Sequence, residues 1–180
     1  MRVLYLIGDG FRPEEYFYSK GEIENAGIDV TTAGARAGDI PAREISGQPK
    51  SAKSDLSFDD VTLEGYDAVV VPGGSPGWEN LYKNSRVLDI IRKSYERGML
   101  VASMCASPAV LAKSGILKGK KATIFPGMGS FLKKGGATPV KADSHYDGRE
   151  VIVRDGNIIT ANGPWASNAF GRAIVEALKG

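Results

Sequence analysis

The chain has 180 residues, of which 42% are hydrophobic and 24% charged, and a formal net charge of +2. That length suits one domain, residues 1–180, around one buried core. The charge is too small and too scattered for a nucleic-acid-binding stripe. One cysteine rules out an intramolecular disulfide, and one cysteine with one histidine cannot build a thiolate–imidazole zinc cage. No metal and no cofactor is expected.

In chain order, Met1-Arg2 leads into the apolar run Val3–Ile7, then Gly8-Asp9-Gly10. The run is far too short for a secretory leader or a membrane span, so a reducing, cytoplasmic setting with no membrane partner is expected. Val3–Ile7 reads as a buried strand. Pro13 to Ala26 reads as a helix, with proline in its first turn and Gly27 at its end. Ile28–Thr32 is a second strand, and a strand–helix–strand unit implies parallel pairing. Residues 34–53, rich in Gly, Pro and Ser, read as an irregular excursion that could hold a hairpin.

Tyr66–Val71 is a strand closed by Pro72-Gly73-Gly74. Ser85 to Arg97 is a helix, Met99–Ser103 a buried strand, and Pro108–Lys113 a helix stopping near Gly115. Lys118-Gly119-Lys120-Lys121 reads as a solvated basic turn. Ala122–Phe125 reads as another strand. Val151–Val153 and Ile158–Thr160 flank the turn Arg154-Asp155-Gly156-Asn157, and Ala166–Leu178 is a last amphipathic helix. This alternation predicts an α/β fold. It would be a three-layer α/β/α sandwich on a mostly parallel, doubly wound sheet, with sites at the carboxyl ends of strands.

Val101-Ala102-Ser103-Met104-Cys105-Ala106-Ser107-Pro108 carries the sharpest chemical signal. Cys105 sits where a strand turns into a helix, with small residues two places to either side. That is the layout of a nucleophile elbow, with cysteine as nucleophile and serines in place of both glycines. A helix N-terminus would favour the thiolate, whereas a structural cysteine would be buried and inert. If the Pro72-Gly73-Gly74-Ser75 loop lies beside the elbow, the Gly74 and Ala106 amides could form an oxyanion hole, with Ser75 close by. Glu14 and Glu15 open the first helix. They are either solvent-exposed partners of the helix dipole, or Glu15 is buried, protonated and hydrogen-bonded to Cys105. His145, in Asp143-Ser144-His145-Tyr146-Asp147-Gly148, is a solvated loop residue, a catalytic partner, or a metal ligand with Asp143 or Asp147. Trp78 and Trp165 are candidates for pocket walls or for core and interface aromatics. Tyr16-Phe17-Tyr18 carries too many aromatics for one buried stripe and suggests a subunit contact.

These pieces, in this order, resemble the ThiJ/PfpI superfamily and within it the DJ-one branch. The likeness spans almost the whole chain. It includes the first strand with Glu15, and the Val71-Pro72-Gly73-Gly74 loop with Gly77 and Asn80-Leu81. It includes the Ser103-Met104-Cys105-Ala106 elbow, Gly163-Pro164 and the helix Ala173-Ile174-Val175-Glu176-Ala177-Leu178. The resemblance implies a flavodoxin-like fold, commonly as a homodimer. It also implies Cys105 as the reactive cysteine, Glu15 as its protonated partner, and Gly74 and Ala106 as backbone donors. Activities ascribed to such proteins include glyoxalase III, protein deglycation, peptidase and chaperone activity, and oxidative-stress sensing.

Two positions depart from the pattern. The protease-like branch has His directly after the cysteine, where Ala106 stands. The DJ-one branch has His before the proline that matches Pro126, where Phe125 stands. The segment from about Lys133 to Glu150 is also longer than in the DJ-one branch, and His145 within it is a candidate substitute, from its own protomer or across a dimer. Without an imidazole, peptide hydrolysis ranks last. An enzyme acting on a small aldehyde through Cys105 and Glu15 ranks first. A stress sensor whose Cys105 is oxidised to sulfinate by a small oxidant follows.

Overall fold

The computed structural model describes residues 1–142 and 148–180. Eleven strands and six α-helices occur among them. In chain order they are β1 (Arg2–Leu6), α1 (Pro13–Asn25), β2 (Asp29–Gly34), β3 (Gly38–Pro41), β4 (Ser51–Ser54), β5 (Leu56–Ser57), β6 (Ala68–Val71), α2 (Gly77–Lys83), α3 (Ser85–Glu96), β7 (Leu100–Met104), α4 (Pro108–Ser114), β8 (Lys121–Ala122), α5 (Gly129–Lys134), β9 (Thr138–Pro139), β10 (Ile152–Asp155), β11 (Ile158–Ala161) and α6 (Ser167–Lys179).

Seven strands form one sheet in the order β10-β11-β7-β6-β1-β2-β5. All its pairs are parallel except the β10–β11 hairpin, where Arg154 faces Ile159. Side chains alternate between two buried layers, as a sheet covered on both faces requires. Leu4, Leu6, Val69, Val71 and Val101 face the layer of α2, α3, α4 and α5. Val3, Tyr5, Ile7, Val70, Ala102 and Met104 face the layer of α1 and α6. The three-layer, flavodoxin-like sandwich is therefore as expected. Val69, Val70 and Val71 have no exposed surface, and burial of each contributes about 1.5–3 kcal/mol.

Helix boundaries have local causes. Pro13 opens α1, where its missing N–H costs nothing. Asn84 caps α3, accepting from the Arg86 and Val87 N–H groups at 3.0 and 3.2 Å, which is worth about 1 kcal/mol. Gly115 ends α4 in the left-handed conformation.

The 34–53 excursion does hold a hairpin: β3 and β4 pair antiparallel, with Ile40 opposite Ala52. One expected strand changes. Residues 122–125 do not form a strand of the main sheet. Only Lys121–Ala122 pairs, with β9. Beyond it the Thr123 N–H donates to Thr160 Oγ1 and the Phe125 N–H to the Cys105 carbonyl, so neither enters a strand ladder. Helices α2 and α5, short and flanked by Gly and Pro, carry too little periodicity to be read from sequence.

The order in which strands are added reverses between β1 and β6. β1 runs on through α1 to β2 on one side, while β6 and β7 lie on the other. Such a switch point opens a crevice at the carboxyl ends of the strands. The ends of β1, β6 and β7 deliver α1, the Pro72-Gly73-Gly74 loop and Cys105 to it.

Candidate active site

Cys105 follows β7 directly and has φ of 59°. A non-glycine residue there is strained, and the strain is what kinks the strand into the turn before α4. The kink is held at both faces of the peptide. The Cys105 N–H donates to the Ala161 carbonyl at 2.9 Å, and its carbonyl accepts from Phe125 N–H at 2.7 Å. Ser107 ties the turn to the neighbouring loop, donating to the Pro72 carbonyl at 2.8 Å. Its small size matters less than this hydroxyl.

The loop after β6 does lie beside the elbow, since Val71 pairs with Ser103. A side chain on Gly73 would sit 2.8 Å from Glu15 Oε2 and 2.9 Å from Cys105 Cβ. Gly74 has φ of 98°, and a Cβ there would fall 2.1 Å from the Arg12 nitrogen. Gly74→Ala is therefore expected to destabilise the protein by about 3 kcal/mol, from left-handed strain plus a backbone clash. Urea denaturation would measure it, and a loss under about 1 kcal/mol would mean the loop can move away.

Glu15 is fully buried, so the solvent-exposed alternative for this carboxyl is excluded. Its Oε2 accepts from the Gly73 N–H at 2.7 Å, while Oε1 is buried with no partner in hydrogen-bond geometry. Burial pushes its pKa up to about 7, against the lowering influence of Cys105, the Gly73 amide and Arg12. A carboxyl in that state holds a proton near neutrality.

The Cys105 thiol lies against the same carboxyl and is only 7% exposed. The helix-end thiolate expected from sequence meets an opposing effect. Burial pushes the thiol up, and a charged Glu15 pushes it further, while the Ala106 N–H and Arg12 pull it down. With Glu15 protonated the repulsion disappears. Burial thus favours the protonated form of both acids, and Glu15 is the first of the two to ionise.

A cavity of about 220 Å³ opens onto the sulfur. Arg12, Arg43, Gly74, Ser75, Trp78, Cys105, Ala106, Phe125 and Met128 line it. The Gly74 and Ala106 N–H groups donate to no backbone carbonyl or side-chain oxygen among the described residues, and the Ala106 N–H faces the sulfur. Ser75 is at the rim, its hydroxyl donating to Glu79 at 2.6 Å. Trp78 forms a wall. Trp165 does not line the cavity; its indole donates to Asn162 Oδ1 at 3.0 Å and its ring stands 5.8 Å from that of Phe125. His145 lies outside the described residues. Of the aromatic triplet in α1, Tyr16 is buried and Tyr18 is 46% exposed. Among the described residues no group of three or more His, Cys, Asp or Glu side chains could hold a metal ion.

Sequence reasoning missed Arg12, Arg43, Met128 and the role of Gly73. Arg12 precedes a helix-opening proline, a position that carries no chemical signal of its own. Arg43 sits in the aperiodic excursion and reaches the cavity only because its N–H bonds to the Phe11 carbonyl at 2.8 Å.

The fold and the kink define a class: flavodoxin-like α/β proteins with a cysteine at the elbow after a central strand. Comparison with known proteins makes this specific. The chain belongs to the DJ-1/PfpI family, whose model matches residues 1–177. It is 34% identical over 179 residues to protein dj-1beta of Drosophila melanogaster, covering 98% of this chain and 89% of that one. It is 32% identical over 179 residues to a deglycase of Pyrococcus horikoshii, covering 99% and 100%. The crystal structure of a ThiJ/PfpI domain protein from Brachyspira murdochii superposes with a TM-score of 0.87 at 27% identity, covering 99% and 96%. Among the described residues no helix is long and apolar enough to cross a membrane.

Proposed function

We propose that this protein converts small reactive aldehydes, as a glyoxalase III or deglycase, through Cys105 and Glu15. One observation carries the reading: a buried carboxyl with a pKa of about 7 touches a lone thiol that faces a small cavity. The pair supplies a nucleophile and a proton carrier, and the deglycase names of relatives at about 30% identity agree with such chemistry.

With methylglyoxal the steps balance without an external oxidant. As the sulfur bonds to the aldehyde carbon its S–H bond breaks and the proton passes to the Glu15 carboxylate, while the carbonyl electron pair moves to oxygen, which takes a proton back from Glu15. The Gly74 and Ala106 N–H groups stabilise the negative charge as it builds. Glu15, now a carboxylate, removes the proton from the carbon bearing sulfur. The electrons pass to the adjacent ketone, the proton returns to the second carbon, and the hydroxyl proton on the first carbon moves to the oxygen of the second. The first carbon is oxidised to a thioester while the second is reduced to an alcohol. Water then releases lactate and restores the thiol.

Purified protein is expected to form lactate from methylglyoxal without glutathione, measured by an enzymatic lactate assay. Absence of lactate at micromolar protein would refute the reading. Peptide hydrolysis stays last, because Ala106 and Phe125 bring no proton donor to the cavity for an amine leaving group.

A further inference from the structure

The cavity mouth carries two guanidinium groups that the aldehyde reading does not use. Arg12 and Arg43 come from different segments, and both are anchored at Phe11. Arg12 follows it and its N–H donates to the Gly73 carbonyl at 2.9 Å, while the Arg43 N–H donates to the Phe11 carbonyl. Both residues line the cavity with Cys105. Arg12 is close enough for its charge to act on both Cys105 and Glu15.

The opposing charge there is Glu14, which lies beside Arg12. That ion pair is loose: Arg12 Nη2 to Glu14 Oε1 and Arg12 Nε to Glu14 Oε2 are each 3.3 Å. Nε and Oε2 are buried and satisfy no hydrogen bond. Arg43 is exposed and has no ion-pair partner among the described residues. Two cations thus face one carboxylate, beside a Glu15 that holds a proton. Planar guanidinium groups bind carboxylates in a two-pronged fashion. The remaining wall, Trp78, Phe125 and Met128, is apolar and suits a short carbon chain.

We propose that this site selects carbonyl compounds that bear a carboxylate, short 2-oxo acids, with Arg12 and Arg43 holding the carboxylate while the carbonyl carbon meets Cys105. The proposal rests on the aldehyde reading and names its substrate class. Glyoxylate is the simplest case. Sulfur bonds to its aldehyde carbon as the thiol proton passes to the Glu15 carboxylate and on to the carbonyl oxygen, and the substrate carboxylate remains on the arginines as a hemithioacetal forms.

Iodoacetate and iodoacetamide differ chiefly in charge, so their rates of alkylating Cys105, read by intact mass, test the idea without any turnover. The ratio of iodoacetate to iodoacetamide rates should exceed that of N-acetylcysteine by about tenfold. Arg43→Gln should bring the ratio to within about twofold of the free thiol, whereas Arg92→Gln, on the far surface of α3, should leave it high. The excess should shrink in 0.5 M salt, since the mouth is partly exposed. Millimolar glyoxylate should slow labelling by iodoacetamide. Equal ratios for protein and N-acetylcysteine would overturn the proposal and leave the aldehyde reading standing. Stronger protection by inorganic phosphate than by glyoxylate would overturn the choice of carboxylate. Failure of both reagents to modify Cys105 would overturn the aldehyde reading together with the proposal.

Discussion

Replacing Cys105 by alanine should lower lactate formation from methylglyoxal by about 10³-fold or more, the usual consequence of deleting a covalent nucleophile. No other thiol exists in the chain. Among the described residues lining the cavity the one side-chain hydroxyl is that of Ser75, which stands at the exposed rim and donates to Glu79. The variant should also fold. The elbow is held through the Cys105 backbone, by Ala161 on one side and Phe125 on the other, and alanine keeps both bonds. Alanine tolerates φ of 59° no worse than cysteine does. Activity and urea midpoint measured on the same preparation separate the two effects. A large activity loss with a midpoint near wild type is the expected result. Unchanged lactate formation would remove Cys105 from the mechanism, and the aldehyde reading would fall with it.

The sheet was readable because its strands are short runs of β-branched and apolar residues between glycines, as in Val69-Val70-Val71-Pro72-Gly73-Gly74. Buried on both faces, such runs need no alternation to be recognised. The elbow was readable for a similar reason: a buried strand ending in small residues and then Pro108 leaves few conformations for Cys105. What escaped depended on contacts between distant segments. Nothing in Ala122–Phe125 announces that Thr160 and Cys105 will take its hydrogen bonds. Whether Glu15 faces water or the core is invisible locally, because Glu14 and Glu15 share one helical turn. The Gly73 amide settles it from 58 residues away. The balance of effects on the thiol was misjudged for the same reason. A helix end is legible in sequence, but the depth at which it is buried is not.

Glu15→Gln should make the protein more stable at pH 8 while lowering activity by about 10²–10⁴-fold, the range for loss of a general acid–base group. The sign follows from where the proton sits. In the folded state the Glu15 carboxyl keeps its proton up to about pH 7, whereas the unfolded chain releases it near the ordinary value of 4.5. Between those values the folded state binds a proton that the unfolded state does not. Stability due to this group therefore falls as pH rises from 4.5 to 7, and it stays low above 7. At 1.36 kcal/mol for each pH unit the wild type gives up about 3 kcal/mol across that window. Glutamine stays neutral throughout, and its carbonyl oxygen can still accept from the Gly73 N–H. Urea denaturation at pH 4.5, 6 and 8 should show the two proteins nearly equal at the lowest pH and the variant ahead by up to about 3 kcal/mol at the highest. All three values lie below the range in which the raised Cys105 thiol adds its own titration. Parallel pH profiles would mean that Glu15 is not the group whose ionisation costs stability. If they diverge as expected, the wild type carries a carboxyl where an amide is more stable, and the reason for keeping it must be the proton it can give and take beside Cys105.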